Sequence, residues 1–233
     1  MAVQTEIYLN GKLNNLIFYT AGGKKLVRSS PSNVKQSINT VTRSRNFGIA
    51  AMAGRILRSR LEPVIPFPKD RAIQILFSGA IARWLGLSDA TSLPPQTPAA
   101  LNGFSFNSKI TFTNRCKIPF SISNNTGELQ ISIPEFIPAE AFAAPAGTQQ
   151  VQLSFSLAGC GLLQPGSGNG AMKQLVLPYD HQLQPAQTLT LPALTGRGTL
   201  LVLVAAVRFM NEQGKADSRE MFLPAAVLWS AYY

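Results

Sequence analysis

Apolar residues recur along this chain with two different periods, and the change from one to the other divides it. From about Ser37 to Leu61 the period is helical. At about 100° per residue, Ile49, Met52, Ala53, Ile56 and Leu57 fall on one arc; Arg55 and Arg58, with Arg43 near them, fall on the opposite side. Arg45 and Arg60 sit nearer the apolar side toward the helix ends, where long stems reach back to water. Gly48 and Gly54 each weaken such a helix by about 1 kcal/mol relative to Ala, and a helical glycine also lets another backbone come close. Pro63, Pro66 and Pro68 then stop the helix and force an extended connector. A second helix is predicted from Asp70, a good N-cap, with Ile73, Leu76, Phe77, Ala80, Ile81 and Trp84 at helical spacing and Gly86 suited to the left-handed C′ position.

Ahead of the helices the pattern is that of a small antiparallel meander. Glu6–Leu9 leads into Asn10-Gly11, a dipeptide that suits a type I′ hairpin; Leu13–Thr20 follows, Gly22-Gly23 turns the chain again, and Lys24–Arg28 returns. Residues 88–98, Ser-Asp-Ala-Thr-Ser-Leu-Pro-Pro-Gln-Thr-Pro, have the composition of a linker. Beyond it the period becomes two. Ile110 and Phe112, Phe120 and Ile122, Leu129 to Ile133, Val151 to Leu157, Leu175 and Leu177, and Leu189 and Leu191 alternate with polar residues. Leu200–Val207 is a continuous apolar run, as in a central strand buried on both faces. Asn211–Lys215 reads as a hairpin turn, with Met221–Tyr232 returning beside that strand. The expectation is an α+β protein in three parts. Residues 1–87 form a basic meander with two helices, 88–98 a linker, and 99–233 an antiparallel immunoglobulin-like β-sandwich.

Charge sharpens this division. The 233 residues carry a formal net charge of +10, and residues 1–88 hold 13 of the 21 Lys and Arg against only Glu6, Glu62 and Asp70. The remainder balances, with eight of each sign. Lys24, Lys25, Arg28, Lys35, Arg43, Arg45, Arg55, Arg58 and Arg60 crowd into one segment. Such groups match phosphates by charge and, for Arg, by bidentate geometry. Tyr8, Phe18, Tyr19 and Phe47 lie among them as candidate stacking surfaces. Nucleic acid or another polyanion, an acidic protein surface and a merely solvated basic face all stay open at this level. The proline-rich connector replaces the short turn of a helix-turn-helix.

Chemistry is otherwise sparse. Gly22-Gly23-Lys24-Lys25 lacks the earlier glycine and the following Ser or Thr of a phosphate loop, and joins strand to strand. Gly159-Cys160-Gly161 with Gly166–Gly170 reads as a glycine-rich loop at the end of the sandwich. Asp180-His181 is an adjacent pair without a nucleophile elbow, and Glu128, Glu135 and Glu140 fall on separate elements, so no catalytic set is expected. Cys116 and Cys160 with a lone His181 do not make a zinc site; they read as buried thiols in a reducing compartment or as a disulfide. No metal, cofactor or small-molecule substrate is expected. No secretory signal and no membrane-spanning run stand out, so the default is cytoplasmic, with a viral particle or another release route left open. The last residues, including Trp229, Tyr232 and Tyr233, are apolar and aromatic. They suit a strand tucked into its own sandwich or one donated to a neighbouring subunit of a homo-oligomer.

The opening also resembles a family of Bacteroidota proteins of unknown function. The resemblance rests on Gly11-Lys12-Leu13 running to Phe18-Tyr19, on Gly23-Lys24-Lys25-Leu26-Val27-Arg28-Ser29-Ser30-Pro31, and on Arg43–Phe47. It covers about the first 60 residues; Asn14-Asn15 stands where the family has Gly-Asn. It implies a β-rich second half and assigns no activity or site. Together these features point to a non-enzymatic structural or assembly protein, with a nucleic-acid-binding protein as the competing expectation.

Overall fold

The computed structural model describes residues 3–5, 8–30, 37–86, 97–125, 127–162, 170–193 and 196–233. Two compact units divide the chain, Met1–Val41 and Thr42–Tyr233.

The smaller unit holds an antiparallel sheet of β1 (Val3–Thr5), β2 (Tyr8–Leu13), β3 (Leu16–Ala21) and β4 (Lys24–Ser29), in that spatial order. The turn between β2 and β3 lies at Asn14-Asn15 and not at the expected Asn10-Gly11. Asn14 takes a left-handed φ of 52°, which a short polar side chain tolerates. Gly11, at φ 108°, lies inside β2 where the strand's pairing passes from β1 to β3. Gly22 and Gly23 make the expected second turn.

In the larger unit both helices appear where the period placed them. They are α1 (Ile38–Leu61), most of which belongs here, and α2 (Arg71–Leu85). Asp70 caps α2 by accepting hydrogen bonds from the amides of Ala72 and Ile73. Gly86 closes the helix in a right-handed conformation (φ −72°), so the left-handed C′ glycine expected there is not used. The strands of this unit are β5 (Ser121–Asn125), β6 (Glu128–Ile133), β7 (Gln150–Gly161), β8 (Gly170–Pro178), β9 (Gln187–Pro192), β10 (Thr199–Met210) and β11 (Ala225–Tyr232). They form two antiparallel sheets, β11-β10-β7-β8 and β5-β6-β9. The segment around Phe112, expected as a strand, is a short 3-10 turn (Phe112–Asn114) that still buries its phenylalanine. Gly159-Cys160-Gly161, expected in a loop, completes β7 and pairs with Thr199–Leu201 of β10.

These elements stack in three layers. On one side of the four-stranded sheet, Ala53, Leu57 and Leu61 of α1 and Phe77, Ile81 and Trp84 of α2 pack on Ala158, Cys160, Val202, Val204 and Tyr232. On its other side Leu153, Phe155, Leu203 and Val207 meet Leu129, Ile131 and Leu191 of the three-stranded sheet. Leu200–Val207 is therefore buried on both faces, as its unbroken apolar run requires. The helices, expected to group with the meander in 1–87, share a core with the sheets from Thr42 onward. Most of the linker expected at 88–98 lies outside the described residues. At Gly54 α1 comes close to α2: a Cβ there would stand 2.6 Å from Ser78 Oγ. No helix among the described residues is long and apolar enough to cross a membrane.

Candidate polyanion interface

Cross-strand pairing sorts the side chains of the meander onto two faces. Lys12 pairs with Ile17 and Ile17 with Arg28; Tyr19 pairs with Leu26, and Ala21 with Lys24. Paired residues share a face and alternate ones fall opposite. One face of β2–β4 thus carries Lys12, Lys24, Arg28 and Tyr19, with Ile17 and Leu26 among them. The other carries Leu13, Leu16, Phe18 and Val27, with Lys25 at its edge. Phe18 is thereby set on the face opposite Lys24 and Arg28 and shares its own with Lys25. The Arg28 guanidinium lies 5.6 Å from the centre of the Tyr19 ring, and Lys25 Nζ lies 3.8 Å from that of Tyr8. Each is a cation–π contact at an exposed site, contributing about 0.5–1 kcal/mol. Every residue of β4 is exposed, and no described side chain of this unit is buried. Lys35 lies outside the described residues.

On α1 the expected basic stripe breaks up. Arg43, Phe47, Ala51 and Arg55, spaced by four, form an exposed ridge; Phe47 is 63% exposed, and Arg45 is exposed as well. Arg58 turns inward. Its Nη1 donates to the Gln74 carbonyl (3.5 Å) and to Ser78 Oγ (3.4 Å), and burial holds its pKa below the ordinary value. Arg60 also turns inward and donates to the carbonyl of Gly159 on β7. Both were expected on or near a solvated face; the packing of α1 against α2 and the sheet draws them in. Between described residues the one ion pair is Arg219–Asp217, at 2.6 Å, which lowers the Asp217 pKa through the guanidinium's hydrogen bonds. None of Lys24, Lys25, Arg28, Arg43, Arg45 or Arg55 has a carboxylate partner among the described residues.

Trp229, Tyr232 and Tyr233 are placed by β11 and its end in the chain's own sheet. The Tyr232 ring meets Trp84 of α2 edge-on, with centroids 5.3 Å apart. The Tyr233 amide donates to the Thr199 carbonyl, and its hydroxyl accepts from Asn124 Nδ2. Cys116 and Cys160 are free and buried in the two different cores, so no disulfide joins them. Burial pushes the Cys116 thiol up to about 12 and raises that of Cys160 against the opposing charge of Arg60. His181 is exposed in a loop where Asp180 accepts from the Gln182 amide. No cluster of three metal-ligating side chains occurs among the described residues.

Two cations joined to these surfaces were not singled out by sequence. Lys12 sits beside the Asn10-Gly11 pair that mimics a turn, which hides its place in a strand. Lys69 follows the proline run just ahead of the α2 cap, outside any periodic stripe. No protein-family model, curated protein or solved structure matches the chain.

Proposed function

We propose that this is a non-enzymatic structural or assembly protein whose amino-terminal sheet is its contact surface. The observation that carries this reading is that sheet's two-sidedness. It buries none of its described side chains, with Leu13, Leu16 and Val27 open on one face beside Lys25, and Lys12, Lys24, Arg28 and Tyr19 on the other beside Ile17 and Leu26. A sheet gains stability by covering its apolar face against another layer. Here the apolar face suits a protein neighbour, including a second copy, and the cationic face an acidic surface or polyanion. The low-charge sandwich supports self-association or docking. In chain order, its first strand pairs the second and the second pairs the fifth, while the sixth lies between the third and the seventh. That order supports reading it as immunoglobulin-like, with the fourth strand beside the third instead of the fifth. The buried free thiols fit a reducing, cytoplasmic setting.

The Arg28–Tyr19 and Lys25–Tyr8 pairs favour a second reading, a nucleic-acid-binding protein with the sandwich as scaffold, because exposed rings beside cations suit stacking on bases. One experiment tests both. The full chain is sized by light scattering and titrated with duplex and single-stranded nucleic acid over a range of salt. The first reading expects multimers that weaken on Leu16→Ser with Val27→Ser. The second expects a steep salt dependence, with Lys24→Ala, Lys25→Ala and Arg28→Ala together lowering the log–log slope by about 2 to 3. A monomer at high concentration that binds neither nucleic acid nor an acidic protein surface overturns both.

A further inference from the structure

Arg58 is a partly buried cation of the larger unit without a carboxylate partner among the described residues. Its guanidinium is drawn between the helices over Gly54, where a Cβ would stand 3.4 Å from Nη1. Both of its protein contacts run through that one nitrogen and both are long, at 3.4 and 3.5 Å. Its remaining N–H groups have no partner among the described residues. A partly buried cation without a counter-charge is costly, and an anion supplied from outside removes that cost.

The surroundings provide room and further charge. A cavity of about 200 Å³ opens between the last turns of α1 and the entry to α2, lined by Arg55, Arg58, Lys69, Ser59 and Gln74. Gln74 is itself fixed by donating through Nε2 to the Pro68 carbonyl, 3.1 Å away. Three cationic residues therefore line one space. Glu62 lines it too, yet forms no ion pair with any of them among the described residues. The volume is below the roughly 300–1,000 Å³ of sites for drug-sized ligands, so it suits a small anion. A guanidinium fork and an ammonium match the oxygens of a tetrahedral phosphate better than they match chloride. The ridge of Arg43, Phe47 and Ala51 leads along α1 to Arg55 at the mouth of this cavity.

We infer that Arg55, Arg58 and Lys69 form a binding site for a single phosphate group. The inference deepens the polyanion reading and rests on it only for the source of that phosphate, which is either free inorganic phosphate or one link of a nucleic-acid backbone. The full chain is titrated by calorimetry with inorganic phosphate at constant ionic strength in chloride, and separately with a short oligothymidylate. Arg55 and Lys69 are exposed, so Arg55→Ala with Lys69→Ala leaves the packing intact, which a thermal melt checks. That double variant is expected to weaken phosphate binding about tenfold or more, and Glu62→Gln to strengthen it about threefold. Arg58→Lys weakens it as well, because an ammonium lacks the fork. Phosphate that binds no better than chloride, or equally well to the double variant, overturns the site. If oligothymidylate then still binds the wild type, the polyanion reading survives on the amino-terminal sheet alone. If phosphate binds as expected and oligothymidylate does not, the site stands with free phosphate as its ligand and the nucleic-acid reading falls.

Discussion

Arg58 and Arg60 stand two residues apart on α1 and meet different surroundings. Arg58 reaches across to α2, while Arg60 reaches down to a carbonyl at the end of β7. A helical period predicts which way a Cα–Cβ bond points, but a long stem ends wherever packing lets its head find acceptors. Shorter side chains are read more directly. Asp70 cannot reach beyond its own helix start, and its two amide contacts follow from sequence. Asp70→Ala is expected to cost about 1 kcal/mol, measured as a lower urea midpoint at unchanged m-value. Cys116 makes a second residue-level prediction. Burial holds its folded pKa at about 12, well above that of a free thiol. A thiol raised on folding favours the native state below its unfolded pKa, and that contribution is lost as pH climbs through the folded value. Stability should therefore fall between about pH 9 and 12, and iodoacetamide should label the native protein far more slowly than the urea-unfolded one at pH 8. Rapid native labelling at Cys116 would mean that the thiol is open to solvent.

At the scale of elements, legibility followed how much of each pattern local chemistry alone decides. Both helices and the double-sided burial of β10 could be read from period and composition, because a buried stripe or a strand covered on both faces leaves few polar positions. The first hairpin could not. Asn10-Gly11 has the residues of a tight turn, but Gly11 spends its freedom inside β2 and Asn14 makes the turn, four residues later. Two sites compete, and strand pairing, a non-local term, selects between them. The Phe112 segment shows the same limit, since alternation places its phenylalanine in the core without requiring a ladder. In the candidate site, the cations of β4 were legible because a hairpin fixes alternation. The phosphate pocket was not, because it needs α1 and α2 side by side and Lys69 from the connector. Edge strand β8 yields a prediction of its own. It is nine residues long, with Met172 and Val176 exposed and Lys173 as its one charge. Charged residues on an edge deter pairing with another chain. Lys173→Val is expected to leave the melt nearly unchanged while raising light scattering over hours at high concentration. No change in scattering would mean that the β8 edge is protected by something other than Lys173.

For the whole molecule, the decisive element is β11, because both cores close on it. Ala225, Val227 and Tyr232 belong to the helix-side core and Ala226 to the core between the two sheets. The segment 103–106 hydrogen-bonds along its outer edge at Ala225 and Val227. A chain ending after Leu223 loses all of this and exposes the Leu200–Val207 run of β10 along a new edge. Burying Val227 and Tyr232 alone accounts for about 3–6 kcal/mol, a large share of the roughly 5–15 kcal/mol that holds a domain together. The truncated chain is therefore expected to lose its cooperative melt and native circular dichroism. Under strand exchange a donated β11 closes the same two cores, so truncation would unfold those subunits too, and the oligomeric state of the full chain separates the two readings. A full chain whose folded form is never smaller than a dimer, even on dilution, would assign β11 to a neighbouring copy. A full chain that is a folded monomer with a cooperative melt assigns β11 to its own sheet.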